Sequence, residues 1–110
     1  MSFSPEVVLV LTTIAAEADG AALARTLVEE RLAACVNVLP PMTSVYRWKG
    51  QVEQDREQQI VIKTTRDRLA ALETRVRELH SYDLPEFVVI AAAGGSDAYL
   101  GWIGESVRSG

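Results

Sequence analysis

Hydrophobic positions along the chain alternate between β-like and helix-like patterns, and their order predicts the fold. Val7-Val8-Leu9-Val10-Leu11 is an unbroken β-favouring run leading into Thr12 and Thr13, as expected of a strand covered on both faces or held centrally in a sheet. Asp19 is placed to cap a helical stretch reaching about Ala34, with Leu23, Ala24, Leu27 and Val28 as its apolar stripe. Arg31 falls on the same stripe near the C-terminus, where a cation complements the exposed carbonyls. From Cys35 to Trp48 the pattern is extended, with Val36 and Val38 alternating around Asn37, and Tyr46 and Trp48 around Arg47. Pro40-Pro41 cannot donate to a ladder and marks an edge or a bulge. Lys49-Gly50 predicts a tight hairpin turn and Gln51 to Thr64 a returning strand, which sets Trp48 opposite Gln51 and Cys35 beside Thr64. Thr65 is placed to cap a second helix with Leu69, Leu72, Val76 and Leu79 inward and Glu73 paired with Arg77 outside. Pro85 breaks this segment, Glu86 to Ala93 reads as a last strand, and Gly94-Gly95 as a turn. Ser96-Asp97 opens a short C-terminal helix. Weakened by Gly101 and Gly104, that helix depends on docking Tyr99, Trp102 and Ile103.

The order β-α-β-β-α-β with an added helix predicts an α+β, ferredoxin-like sandwich in a single domain over residues 1–110, with strand order 4-1-3-2. That topology brings Thr12, Thr13, His80 and Glu86 to one end of the sheet and leaves Cys35 and Thr64 at the other. The second and third strands are long: about 14 residues at roughly 3.3 Å each give a ribbon near 46 Å. A compact domain of this size has a radius of gyration of about 13 Å. The hairpin therefore projects as an arm. An arm with open edges and exposed Tyr46 and Trp48 needs another chain to cover it, which predicts a closed homo-oligomer.

Charge and composition narrow the partners. Fifteen acidic residues against eleven basic give a net charge of −4, which offers a phosphate backbone no electrostatic footprint and argues against nucleic acid. The apolar run at Val7–Leu11 is too short to cross a membrane. One cysteine and no leader-like opening segment lead to the expectation of a cytoplasmic protein. No P-loop, dinucleotide fingerprint, EF-hand or zinc-finger spacing is present, and no nucleophile, base and stabiliser can be assembled from residues the fold brings together, so an enzyme is not expected.

Each chemistry-bearing residue has two readings. His80, the single histidine, is either a metal ligand or proton-transfer group, or a cap on the last helix carbonyls. Cys35 is a thiolate ligand or redox group, or a small buried hydrophobe. Glu57 and Lys63 project from one face of the same strand about 20 Å apart, and each can meet Tyr46, Tyr82, Glu86 or Trp102 in a ligand cleft or ion-pair at a subunit seam. Glu53, Asp55 and Glu57 alternate on one side of the arm, either attracting divalent ions loosely or forming a solvated face.

Five ordered segments carry a family resemblance: Leu32-Ala33-Ala34-Cys35-Val36-Asn37, Ser44-Val45-Tyr46-Arg47-Trp48-Lys49-Gly50, Glu57 with Lys63-Thr64, His80-Ser81-Tyr82-Asp83-Leu84-Pro85-Glu86, and Tyr99-Leu100-Gly101-Trp102-Ile103. From about Val7 to Val107 the chain resembles the CutA family of divalent-cation tolerance proteins. The resemblance implies a ferredoxin-like homotrimer of PII-like architecture with a role in copper tolerance. The family's proposed copper ligands are a cysteine near the end of the first strand and two adjacent histidines after the second helix. Those positions hold Thr12, Leu79 and His80 here, so His80 alone is retained, and weak binding of copper or another divalent cation is what the resemblance implies. The alternative reading is a PII-like sensor that takes a small anionic metabolite in an inter-subunit cleft formed by Tyr46, Trp48, Glu57, Lys63, Tyr82, Glu86 and Trp102.

Overall fold

A computed structural model describes residues 6–108. Its elements are β1 (Val7–Ala15), α1 (Gly20–Glu29), β2 (Cys35–Val38), β3 (Met42–Trp48), β4 (Gln51–Thr65), a 3₁₀ turn (Arg66–Arg68), α2 (Leu69–Leu79), β5 (Val88–Ala91) and α3 (Asp97–Ser106). The sheet runs β2-β4-β1-β5 with antiparallel neighbours, and β3 pairs with the outer half of β4. With β2 and β3 taken as one interrupted strand, this is the expected 4-1-3-2 order.

Alternation along β1 and β4 sorts residues by face. Val10, Ile14, Ile60 and Ile62 pack with Leu27, Leu32, Ala33, Leu72 and Val76, so α1 and α2 cover one side of the sheet. On the other side Ile103 of α3 and Val107, just after its end, pack with Val7 and Ala34. The C-terminal helix thus docks through Ile103, while Tyr99 and Trp102 stay 43% and 47% exposed. Beyond α3 the same side carries Leu9 and Leu11 opposite Ile90 and Val88, and the last two are exposed.

Helix ends follow local chemistry. The Asp19 side chain accepts from Ala22 N at 3.0 Å, and that of Ser96 from Tyr99 N at 3.2 Å, as expected of the two caps. The first helix stops at Glu29, short of the expected Ala34. Arg31 turns left-handed at φ 59°, Leu32 N–H donates to Leu27 O and Arg31 N–H to Val28 O, which is a Schellman closure without glycine. Thr65 does not cap α2 directly: it ends β4, its hydroxyl bonds the Asp67 carboxylate, and a 3₁₀ turn leads into the helix. Val28 and Leu79, expected inside, are about 40% exposed. The last strand is Val88–Ala91 and not Glu86–Ala93, because only these four residues pair with β1.

One register expectation fails. Trp48 pairs with Gln51 as predicted, but Cys35 pairs with Lys63 and not Thr64. Between the Val38–Ile60 and Met42–Glu57 pairs, the β2–β3 side spends three residues, Leu39 to Pro41, against two on β4. The diproline is a bulge, and its extra residue slips the inner pairing by one. The arm itself is present. Residue positions extend over 53 × 26 × 24 Å with a radius of gyration of 14.9 Å, and Val45 and Val52 near its tip are 63% and 65% exposed. Lys49 (φ 50°) and Gly50 (φ 80°) close it with the two positive φ values of a type I′ turn.

Candidate functional site

The predicted site residues fall into three places along the sheet. At the end where β1 enters its turn, β4 supplies Glu57, Gln58 and Gln59. Gln58 Nε2 donates to the carbonyls of Ala15, Ala16 and Ala18, pinning the turn into α1. Gln59 Nε2 donates to Thr12 O at 2.7 Å and to Glu86 Oε2 at 3.1 Å, so Glu86 is tied to the end of β1. Tyr82 OH donates to Glu57 Oε2 at 3.1 Å. Asp55 and Tyr46 both bear on the Tyr82 phenol electrostatically, and Tyr46 OH itself bonds the Asp55 carboxylate. Tyr46, Glu57, Tyr82 and Glu86 are therefore linked within one polar cluster through Asp55 and Gln59.

Burial comes first, and the bond to the Glu57 carboxylate second, in pushing the Tyr82 phenol up to about 12. For Tyr46 the bond to Asp55 leads, and its phenol is also raised to about 12. Both hydroxyls are protonated donors across the neutral range. The two carboxylates accept from them and are left with capacity for a further partner.

His80 closes this end. Its Nδ1 accepts from Tyr82 N–H at 3.0 Å, which makes Nε2 the protonated nitrogen, and Nε2 bonds Thr13 O. The ring packs against Tyr82 with centroids 4.5 Å apart and planes inclined by 57°. It thus ties the segment after α2 to β1 and does not cap the helix carbonyls. A metal at either nitrogen would displace one of these bonds. Thr12 lies on the helix-covered side, fully buried, with its hydroxyl unpartnered, and Leu79 brings no donor. The residues at the three family positions do not fit a tight copper site. Among the described residues, no group of three or more His, Cys, Asp or Glu side chains is placed to hold a metal ion.

Lys63 and Trp102 belong to a second place, beside α3. Lys63 Nζ donates to Tyr99 OH at 3.3 Å, and Tyr99 and Trp102 lie with ring centroids 5.4 Å apart, one helical turn from each other. Cys35 is Lys63's cross-strand partner and is half-buried. Trp48 is in a third place, at the arm's tip, with Lys49 Nζ 5.7 Å from its ring centre. Within one chain these places are separate, and Glu57 and Lys63 have no contact with each other.

A family model described as "CutA1 divalent ion tolerance protein" matches residues 8–106. The chain belongs to this family. The divalent-cation tolerance protein CutA of Thermus thermophilus is 45% identical over 89% of this chain and 95% of its own. Among solved structures, CutA1 of Oryza sativa superposes with a TM-score of 0.92 at 38% identity, covering 99% of this chain and 100% of that one. A PII-like protein CutA from Nostoc gives 0.84 at 36% identity, over 92% and 97%. A CutA1-type fold is thereby shown, and its relatives carry names of tolerance proteins, not of enzymes. No helix among the described residues is long and apolar enough to cross a membrane.

Sequence reading missed three participants. Gln59, the link from Thr12 to Glu86, is one polar residue in a polar run and gives no signal of its own. Gln58 is indistinguishable from it until the register sets the two on opposite faces. Tyr99 was read as a docking residue, although its spacing of three from Trp102 already set both rings on one helix side.

Proposed function

We propose that the protein acts as a non-enzymatic homotrimer in divalent-cation tolerance, in the reducing cytoplasm, with direct cation contact weak and confined to His80. The arm carries this reading: a two-stranded ribbon exposing Val45, Val52, Tyr46 and Trp48 is marginal alone and is stabilised when a second copy covers it. The apolar strip of Leu9, Leu11, Val88 and Ile90 on the open side of the sheet offers a second surface to the same assembly. Three copies rest on the family resemblance, and a closed ring leaves no edge open. Weak copper binding rests on His80, whose coordination has to break a hydrogen bond already made.

Static light scattering is expected to give three times the 12.0 kDa chain mass, and calorimetry a weak copper heat that disappears in His80→Gln. A 12.0 kDa particle at micromolar concentration overturns the assembly, and copper binding unchanged in His80→Gln overturns the metal assignment.

A second reading has its own support. The Tyr46, Glu57, Tyr82 and Glu86 cluster, with Trp48 and the Lys63 and Trp102 pair brought in from neighbouring copies, suits a sensor of small anionic metabolites at the subunit seam, in line with the PII-like description of the Nostoc relative. Stabilisation by metabolites but not by metals in a thermal-shift screen favours it.

A further inference from the structure

Arg31 departs from what its place after α1 calls for. It holds φ 59° where a helix usually closes on glycine, and a side chain in that left-handed region costs roughly five- to thirtyfold in the folding equilibrium. Its backbone closes α1, but its guanidinium serves another helix: Nη1 donates to Ser106 O, in the last turn of α3, at 3.4 Å. That last turn has no basic residue of its own, and Arg108 beyond it pairs with Glu105. The carbonyl that Arg31 complements therefore belongs to α3 and not to α1. Arg68 Nε donates to Arg31 O at 3.2 Å and holds the same residue from the 3₁₀ turn. Little else ties α3 down. Ile103 and Val107 pack with Val7 and Ala34, Gly101 and Gly104 lie within the helix, and the connector before it contains Gly94, with open space around it. Among the described residues, its one other hydrogen bond to the rest of the chain is that of Lys63 Nζ to Tyr99 OH, and no ion pair crosses to it.

We propose that α3 is a strap over the open side of the sheet that opens separately from the β1–β4 ladder, and that Arg31 is its latch. Glycine at this position would relieve the backbone but bring no guanidinium to Ser106, so the residue gives up folding free energy for its hold on α3. Opening uncovers Val7 and Ala34, which α3 packs against, beside Leu9 and Leu11 on the same side of the sheet. The latch thus sets how much apolar surface that side presents. Its backbone, carbonyl and guanidinium ties all lie within one chain, and the inference rests on neither the metal nor the metabolite reading.

The test is amide hydrogen exchange on the intact protein, with urea unfolding alongside, for the parent chain, Arg31→Gly and Arg31→Ala at one chain concentration. In the parent, the amides of Gly101 to Glu105 are expected to exchange at least about tenfold faster than those of the β1–β4 ladder, as a unit that opens by itself. Both variants lose the cap, so the ratio of α3 protection to ladder protection falls about two- to fivefold in each, the factor carried by one cation at an exposed helix end. Their overall stabilities part in the other direction. Glycine suits φ 59° and alanine does not, so the urea midpoint of Arg31→Ala lies below that of Arg31→Gly, by the equivalent of about fivefold in the folding equilibrium. The glycine variant is thus the discriminating one: a chain whose body is as stable as alanine's or more so, with a looser α3. A protection ratio unchanged in Arg31→Gly overturns the latch, and α3 amides that exchange in step with the ladder in the parent chain overturn the strap. Equal midpoints for the two variants overturn the trade between backbone strain and cap.

Discussion

Replacing Thr12 by valine removes the clearest local defect in the fold. Thr12 is fully buried opposite Ile60 on the side packed by α1 and α2, and its Oγ1 has no hydrogen-bond partner. A buried hydroxyl without a partner costs about 1–3 kcal/mol relative to one exposed to water. Valine has nearly the same shape and places a methyl where the hydroxyl was, so it relieves that cost without a cavity and adds a little apolar burial. Thr12→Val is expected to stabilise each chain by about 1–2 kcal/mol, roughly a tenfold shift in the folding equilibrium. With a urea slope of about 1–3 kcal/mol per molar, the midpoint moves up by on the order of 0.5–1 M. The two proteins are compared at equal chain concentration, because assembly makes apparent stability depend on concentration. An unchanged or lowered midpoint with an unchanged slope refutes the reasoning, since it means the hydroxyl is satisfied in solution by a trapped water that valine expels.

Gly20→Ala is expected to cost about 1–3 kcal/mol, because an added Cβ would lie 2.7 Å from Val38 Cγ1 and 3.1 Å from Gln58 Oε1; the urea midpoint reads it. Lys49→Asn suits the type I′ turn, where Lys49 holds φ 50° before Gly50, and is expected to slow amide exchange in the β3–β4 arm by an amount equivalent to a few tenths of a kcal/mol, on the order of 0.5. The Tyr82 phenol, raised to about 12 in the folded chain against 10.0 unperturbed, contributes stability that is complete below pH 10 and lost as the pH rises toward 12, the sign expected of a pKa raised by folding. Glu57→Gln removes the charge and weakens the bond, so tyrosinate absorbance is expected to rise at lower pH than in the parent protein; identical titrations would show that Glu57 does not act on Tyr82.

Much of this architecture was legible in the residue pattern because each strand and helix carries one unambiguous periodicity. Val7–Leu11 read as a strand covered on both faces or held centrally, and β1 lies between β4 and β5. Asp19 and Ser96 announced helix starts through short acceptors at the right offset. What escaped was backbone behaviour that no period encodes. Arg31 adopts a left-handed φ where glycine is the usual signal, so the helix ends five residues before its apolar pattern does. The diproline could be read as an edge or a bulge, and only the bulge shifts Cys35 from Thr64 to Lys63. That shift changes chemistry: it sets the thiol of Cys35 across from an ammonium on the side of the sheet where α3 docks.

The same logic explains how the candidate cleft divides. Residues two apart on a strand share a face, so Glu57, Gln59, Val61 and Lys63 all project from the open side of β4, but the spacing that gives them one face also spreads them along it. Glu57 and Gln59 meet the His80–Glu86 segment, whereas Lys63 meets α3. A shared face is legible from sequence, and a shared site requires knowing what lies above each position. Here two different covers sit over one strand. One is a network of phenols and carboxylates fixed by Gln59 and His80, and the other a cation beside two exposed rings. The first ties the segment after α2 to β1 and β4 through Gln59, Tyr82 and His80, while the second joins β4 to α3 through the Lys63 to Tyr99 hydrogen bond.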